Sequence, residues 1–122
     1  MRKKKIVAIV EASSTGFGVF SENLPGITGY AHTIQKAKDD FIAAIIEVNG
    51  SNNYEIAYKY DIVSIFEHLS FLDVTETAKR IGINSSLLRQ YKSGIVKPSE
   101  KQKERILSGL HELGKELINI QL

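Results

Sequence analysis

The sequence predicts an α+β fold, in which a small antiparallel sheet with one packed helix is followed by an all-α domain. Three observations lead to this prediction. Residues 1–70 contain short runs rich in β-branched and aromatic side chains. Between these runs, one longer segment has apolar residues at helical spacing. Residues 71–122 have helical periodicity throughout, interrupted at glycines.

The predicted sheet begins with a hairpin. Residues 5–10 and 17–21 are β-branched or aromatic runs, and the segment SSTG at 13–16 separates them. Turn residues at 23–26 follow, and the next apolar run, 27–32, predicts a third short strand.

A helix and a further strand complete the first domain. Thr33 is a suitable N-cap, and the apolar residues after it recur at helical spacing until Asn49 and Gly50 end the pattern. The segment YEIAYKY, residues 54–60, alternates as a strand with one buried side. We therefore expect the helix to lie across a small antiparallel sheet.

A short helix capped by Asp61 connects the two predicted domains. Its apolar residues Ile62, Ile65, Phe66 and Leu69 share one helical face. The boundary is placed at residue 70, which gives domains 1–70 and 71–122. No Gly/Ser-rich or Pro-rich linker lies there, so a stiff connection is expected.

Residues 75–94, TETAKRIGINSSLLRQYKSG, have the layout of a DNA-binding helix-turn-helix. Ala78 is small enough for a second helix to cross closely, and Gly82 can take the positive φ that ends the first helix. Apolar anchors seal the inner side, namely Ile81, Ile83, Leu88 and Tyr91. The remaining side chains suit base edges and phosphates, and the predicted contacts to double-stranded DNA are Asn84, Ser85, Ser86, Arg89, Gln90, Lys92 and Ser93.

Capping signals frame the helices of the second domain. Asp73 lies three residues before Glu76, and Ser99 lies three residues before Gln102, both at capping-box spacing. The last predicted helix carries an apolar seam, formed by Ile106, Leu110, Leu113, Leu117 and Ile120. This seam is expected to pack mainly into the core and partly against a second copy. A dimer is expected because one short recognition helix contacts few base pairs.

Two interpretations of the helix pair compete. A helical hairpin packed for structural reasons alone also has a glycine at its corner. Such a hairpin has no need for an arginine, an amide and several hydroxyl groups on one exposed face. The sequence therefore favours the DNA-binding interpretation.

Composition and charge narrow the function classes. The chain has 122 residues and no cysteine, which excludes disulfides and thiolate metal sites and suits the cytoplasm. The apolar run near the start is too short for a signal peptide or a membrane span. Residues 73–122 hold nine Lys or Arg against six Asp or Glu, whereas residues 6–72 hold three against eight. A basic and an acidic module predict two different partners.

An enzyme is the rival from another class. Five carboxylates could be considered for a two-metal phosphodiesterase site, namely Glu11, Asp39, Asp40, Glu47 and Asp61. Asp39 and Asp40 are helix neighbours that point about 100° apart, and the first strand has no acid at its middle. His32, His68 and His111 have no ligand spacing. We therefore expect no catalysis, metal or cofactor.

The segment GFGVFSENLPGITGYAHTIQKAKDDFIAAI combines a strand, an LPG turn, a short strand and a helix, and in this order it resembles the N-terminal domain of the HicB antitoxins. The segments YDIVSIFEHL, GINSSLLRQYKSG and HELGKEL resemble the helix-turn-helix form of that family. The first hairpin, SSTGFG, departs from the aromatic or acidic residues that family members often have before its glycine.

The resemblance implies a partial ribonuclease-H-like domain without nuclease activity. Such a domain masks a small basic HicA-like toxin that cleaves mRNA, and the helix-turn-helix represses the operon that encodes both proteins. The acidic charge of residues 6–72 agrees with a cationic toxin as partner. The alternative is a phage-type transcriptional repressor whose N-terminal module senses a ligand.

Overall fold

The computed structural model describes residues 3–122 and confirms the α+β class. The described residues form four strands and five helices, with the bounds β1 Lys4–Ala12, β2 Phe17–Phe20, β3 Thr28–Ala31, α1 Ile34–Asn49, β4 Tyr54–Tyr60, α2 Ile62–His68, α3 Val74–Ile81, α4 Ser85–Ser93 and α5 Glu100–Ile118. They divide into two compact units, the first ending at His68 and the second running from Leu69 to Leu122.

The sheet is mixed, so the prediction of an antiparallel sheet was wrong in one pairing. Its strand order is β3-β2-β1-β4, with β1 and β2 antiparallel and β2 and β3 antiparallel. In contrast, β4 runs parallel to β1, with Ile6 opposite Ile56 and Val10 opposite Tyr60.

The order of elements explains the parallel pair. Two hairpin reversals make β3 run in the same direction as β1. The helix α1 then reverses the chain and returns it at β4, so β4 runs in the direction of β3 and therefore of β1. A strand that follows a crossover helix in the same sheet is parallel to the strand before that helix.

The core of the first unit lies between α1 and one face of the sheet. Thr33 caps α1 by accepting a hydrogen bond from the Lys36 N–H, and Gly50 ends it with a φ of 80°. The helix buries Ile34, Ala37, Phe41 and Ile45 against inward residues of the strands, Ile6, Ala8, Val10 and Val19. Gly29 permits the close approach of α1, because a Cβ there would lie 2.5 Å from the Ala37 carbonyl oxygen.

Asp61 fastens the start of α2 to the sheet. One carboxylate oxygen accepts a hydrogen bond from the Ser64 N–H at 2.7 Å, as an N-cap does, and the other accepts from the Ala12 N–H at 2.9 Å. The predicted cap is therefore confirmed, and the same side chain also holds the end of β1.

The second unit consists of three helices. Asp73, Asn84 and Ser99 are the N-caps of α3, α4 and α5, and Gly82 and Gly94 end α3 and α4 with positive φ. The inner side is sealed by buried residues, Ala78, Ile83, Leu88, Tyr91 and Ile106.

The apolar seam of α5 is only partly core. Ile106 is buried and Leu110 and Leu113 are partly buried, whereas Leu117 is 56% exposed and Ile120, which lies beyond the end of α5, is 60% exposed. The expectation that the seam packs mainly inside its own molecule therefore holds for its first half alone. None of the helices within residues 3–122 has the length and apolar character to cross a membrane.

Candidate nucleic-acid interface

The candidate interface is the outward side of α4. The Asn84 side chain accepts a hydrogen bond from the Leu87 N–H at 3.1 Å and thereby begins the helix. Leu88 and Tyr91 face inward and are 0% and 5% exposed. At about 100° per residue, Ser86, Arg89, Gln90 and Ser93 then fall on the opposite side, and Lys92 lies at the edge of this arc.

Six of the seven predicted DNA-contacting residues are exposed, namely Asn84, Ser86, Arg89, Gln90, Lys92 and Ser93. Ser85 is partly buried. Two of the seven also serve the helix itself, because Asn84 is the N-cap and the Ser93 hydroxyl donates to the Gln90 carbonyl oxygen at 3.0 Å. Ser86, Arg89, Gln90 and Lys92 therefore form the part of this face most able to contact a ligand.

The guanidinium of Arg89 is held in place from two sides. Its Nη1 donates to the Thr75 hydroxyl at 2.9 Å, and its Nη2 donates to the Ser86 hydroxyl at 3.3 Å. Thr75 belongs to α3, so this contact ties the side chain of one helix to the other. Because a guanidinium has five N–H donors, the two bonds leave three donors free.

The corner between α3 and α4 is supported by α5. Arg105 donates to the Gly82 carbonyl oxygen at 2.5 Å, which is one of the groups left unpaired where α3 ends. Arg80 forms an ion pair with Glu116. Gly109 lies directly against Ile81, where a Cβ would overlap that side chain. These contacts fix the orientation of the helix pair on α5.

The positive charge of the second unit is unevenly neutralised. Within residues 69–122, ion pairs join Lys79 to Glu76, Lys103 to Glu100 and Lys115 to Glu112, in addition to Arg80 and Glu116. The other five cations of this unit have no ion-pair partner in the part of the chain that the structure describes, and they are Arg89, Lys92, Lys97, Lys101 and Arg105. The unpaired charge thus includes both cations of the exposed face of α4.

Three of the five carboxylates considered for a metal site have other contacts. Asp40 accepts from the Tyr30 N–H at 2.8 Å, Asp39 accepts from the Gln35 amide at 3.0 Å, and Asp61 is the cap of α2. Among residues 3–122, no three His, Cys, Asp or Glu side chains gather in a way that would hold a metal ion.

A lysine in the first unit lies among aromatic rings. Lys38 Nζ is 4.3 Å from the centre of the Tyr58 ring and 5.0 Å from that of Tyr60, and it donates to the Tyr60 hydroxyl. His68 stacks on Tyr60 with ring centres 5.0 Å apart. Burial raises the pKa of Tyr58, and the nearby Tyr60 and Asp39 add to the effect. Burial lowers the pKa of His68, and the positive charge of Lys38 lowers it further.

Comparisons with family models, with curated proteins and with solved structures give no match to the chain.

Thr75 and Arg105 are the residues of this interface that the sequence did not indicate. Their partners lie fourteen and twenty-three positions away, and a helical period links neither pair.

Proposed function

We propose that the chain is a cytoplasmic antitoxin of the HicB type. Its first unit neutralises a HicA-type toxin that cleaves mRNA, and its second unit, as a helix-turn-helix, represses the operon of the pair by binding operator DNA. The observation that carries the proposal is the outward face of α4, where Ser86, Arg89 and Gln90 are exposed while the apolar side is buried. No catalytic role and no cofactor belong to the proposal.

The side chains of α4 fit the major groove of duplex DNA. An arginine that has two free, coplanar donors binds the O6 and N7 atoms of guanine, and a glutamine binds the N6 and N7 atoms of adenine. Arg89 keeps three donors beyond its bonds to Thr75 and Ser86. Lys92 lies at the flank of the same face, where it suits a phosphate.

The charge of the first unit supports a cationic partner. Seven of the eight acidic residues between 6 and 72 are exposed, namely Glu11, Glu22, Asp39, Asp40, Glu47, Glu55 and Glu67. A toxin that binds RNA needs a positive surface, and acidic side chains are complementary to such a surface. Lys3 to Lys5 precede or begin β1 and oppose this charge locally, so the acidic contact lies away from that end of the strand.

In this proposal, the chain binds DNA as a dimer. Leu117, Ile118 and Ile120 are all more than half exposed near the end of α5. Exposed apolar residues in a row favour association, and two recognition helices read the two half-sites of a palindromic operator.

Coexpression with the neighbouring gene tests the toxin-binding half. We expect the neighbour to encode a small basic protein that arrests growth alone, copurifies with this chain and is harmless in its presence. A gel shift on the upstream promoter fragment tests the repressor half. Growth arrest that is equal with and without this chain, together with a specific gel shift, would instead favour a repressor with a ligand-sensing module.

A further inference from the structure

The strand β4 is the longer of the two open edges of the sheet. Among residues 3–122 it has a neighbouring strand on the β1 side alone. It spans seven residues, whereas the opposite edge strand, β3, spans four. The segment YEIAYKY contains no proline, which would remove a backbone donor, and its two charged residues, Glu55 and Lys59, have opposite signs.

The hydrogen bonds at the two ends of the β1–β4 pair show which backbone groups face the open edge. Lys4 N–H donates to the Asn53 carbonyl oxygen and Asp61 N–H donates to the Val10 carbonyl oxygen, each at 3.2 Å. Each residue of a strand directs its N–H and C=O groups to the same side, and successive residues alternate between the two sides. The odd-numbered residues of β4 therefore face β1, and the even-numbered residues face outward.

The outward groups belong to Tyr54, Ile56, Tyr58 and Tyr60. The Tyr54 N–H is already bound to the Asn52 side chain at 3.2 Å. The remaining outward N–H and C=O groups are spaced to form hydrogen bonds with an added strand. That strand would bond to the even-numbered residues of β4.

The side chains of β4 are complementary to themselves in one antiparallel register. Glu55 and Lys59 lie two residues before and two residues after Ala57, and all three are exposed on the outer face of the sheet. If a second β4 runs antiparallel with Ala57 opposite Ala57, each Glu55 lies opposite a Lys59. Because Ala57 directs its backbone groups to β1, these are non-hydrogen-bonded positions, where opposed side chains approach most closely.

Neighbouring registers lose this complementarity. A two-fold axis centred on Tyr58 would set Glu55 opposite Asp61 of the second copy, which places like charges together. An axis centred on Ile56 would set Lys59 opposite Asn53. The register centred on Ala57 also pairs all seven residues and sets Ile56 opposite Tyr58 on the inner face.

We propose that β4 pairs antiparallel with β4 of a second copy about Ala57, so that two sheets join into one continuous sheet across a two-fold axis. Such a contact is self-complementary, as two-fold interfaces require. It is separate from the apolar end of α5 and does not rest on DNA or toxin binding.

A cysteine substitution tests this register directly, because the natural chain has no cysteine. In the full-length Ala57→Cys protein, the Cα atoms of the two introduced cysteines would lie about 4.5 Å apart, which is within reach of a disulfide. The matched control is Val7→Cys. Val7 lies on β1 opposite Ala57 and is 50% exposed, but its Cα atom would be ~14 Å from that of Val7 in the second copy.

Mild oxidation followed by a non-reducing gel gives the result. We expect most of the Ala57→Cys protein, and little of the Val7→Cys protein, to form a disulfide-linked dimer. Equal cross-linking of the two variants, or none in either, would overturn the proposal. Absence of cross-linking in both variants is the result expected if β4 instead pairs with a strand of another protein.

Charge exchange provides a second test that a folding defect does not imitate. Lys59→Glu places a second carboxylate opposite Glu55 in both pairs, so we expect the dissociation constant of this contact to rise roughly tenfold in sedimentation experiments. Adding Glu55→Lys restores opposite charges, and the double variant should return to within about threefold of the natural protein. Failure of the second substitution to recover association would contradict the register.

Discussion

Arg89 and Lys92 lie on the same exposed face of α4 and differ in how they are held. Arg89 is anchored by Thr75 and Ser86, whereas Lys92 has no ion-pair partner within residues 69–122. An anchored guanidinium loses little side-chain freedom when it binds a base, which favours specificity. A mobile ammonium contributes mainly charge.

Replacement of the two residues should therefore have different effects. We expect Arg89→Ala to weaken binding to the specific operator by about 1–3 kcal/mol and to relax base preference at one position. Lys92→Ala should weaken binding to operator and random DNA alike and reduce the salt dependence by the equivalent of roughly one phosphate contact. Titrations at several salt concentrations measure both quantities. The same loss on operator and random DNA for Arg89→Ala would argue against base reading by this side chain.

His68 gives the first unit a pH-dependent stability. Its pKa is lowered from the ordinary 6.5 by burial and by Lys38, so the folded state binds the imidazole proton less readily than the unfolded state. The stabilising contribution is fully present above pH 6.5 and is lost as the pH falls through the folded pKa. The effect is modest because the residue is largely exposed and its ring is only partly desolvated.

His68→Phe isolates this effect, since phenylalanine preserves an aromatic ring beside Tyr60 without a titrating group. We expect urea unfolding, followed by the near-ultraviolet circular dichroism of the tyrosines, to show a flatter pH profile for the variant between about pH 5 and 7. Parallel profiles for the two proteins would assign the pH dependence to other groups.

The helix caps and the anchor of Arg89 differ in how far the sequence could predict them. The caps Thr33, Asp73 and Ser99 were identified in advance because each bonds to a backbone group three residues away. The contact between Thr75 and Arg89 joins two helices, and its partners become neighbours only after the helices pack. Local chemistry was therefore predictable, while the anchoring of the candidate site was not.

At the element scale, α5 contains two glycines in different surroundings. A Cβ at Gly109 would overlap the side chain of Ile81, whereas a Cβ at Gly114 meets no atom within 4 Å. A glycine inside a helix costs about 1 kcal/mol relative to alanine. At Gly109 this cost is offset by the close packing of α5 on α3.

Alanine substitutions at these positions should change stability in opposite directions. Gly109→Ala introduces a clash that costs about 1–3 kcal/mol, which outweighs the gain in helix propensity, so we expect a net loss. Gly114→Ala should increase the free energy of unfolding by about 1 kcal/mol. Urea denaturation followed by far-ultraviolet circular dichroism measures both. A stabilised Gly109→Ala protein would show that Ile81 moves aside without cost.

The strands show a different limit of sequence reasoning. The position of β4 at residues 54–60 was predicted correctly from the alternation of YEIAYKY, but its direction was not. Alternation specifies which side chains share a face and contains no information about the neighbouring strand. The order of the elements, with a helix between β3 and β4, was the feature that determined the parallel pairing.

At the scale of the whole molecule, the two units differ in charge and in how each would self-associate. Apart from residues 1–5, the first unit is acidic, and it has the open edge of β4, whereas the second is basic and ends in the exposed apolar residues of α5. A chain with two separate self-complementary contacts forms assemblies larger than a dimer. Neither contact requires the other, so each can be removed alone.

Removal of one contact at a time should reveal both. Leu117→Asp places a charge in the apolar end of α5, and because Leu117 is already 56% exposed, the fold of the single chain should be unaffected. We expect the natural protein to sediment as a species larger than a dimer, Leu117→Asp and Lys59→Glu to sediment at lower mass, and the combined variant to be monomeric. Operator binding should weaken with Leu117→Asp, because in the proposed dimer that contact pairs the two copies of α4, and should be retained by Lys59→Glu. A monomeric Leu117→Asp protein with unchanged operator affinity would show that the α5 contact does not serve DNA binding.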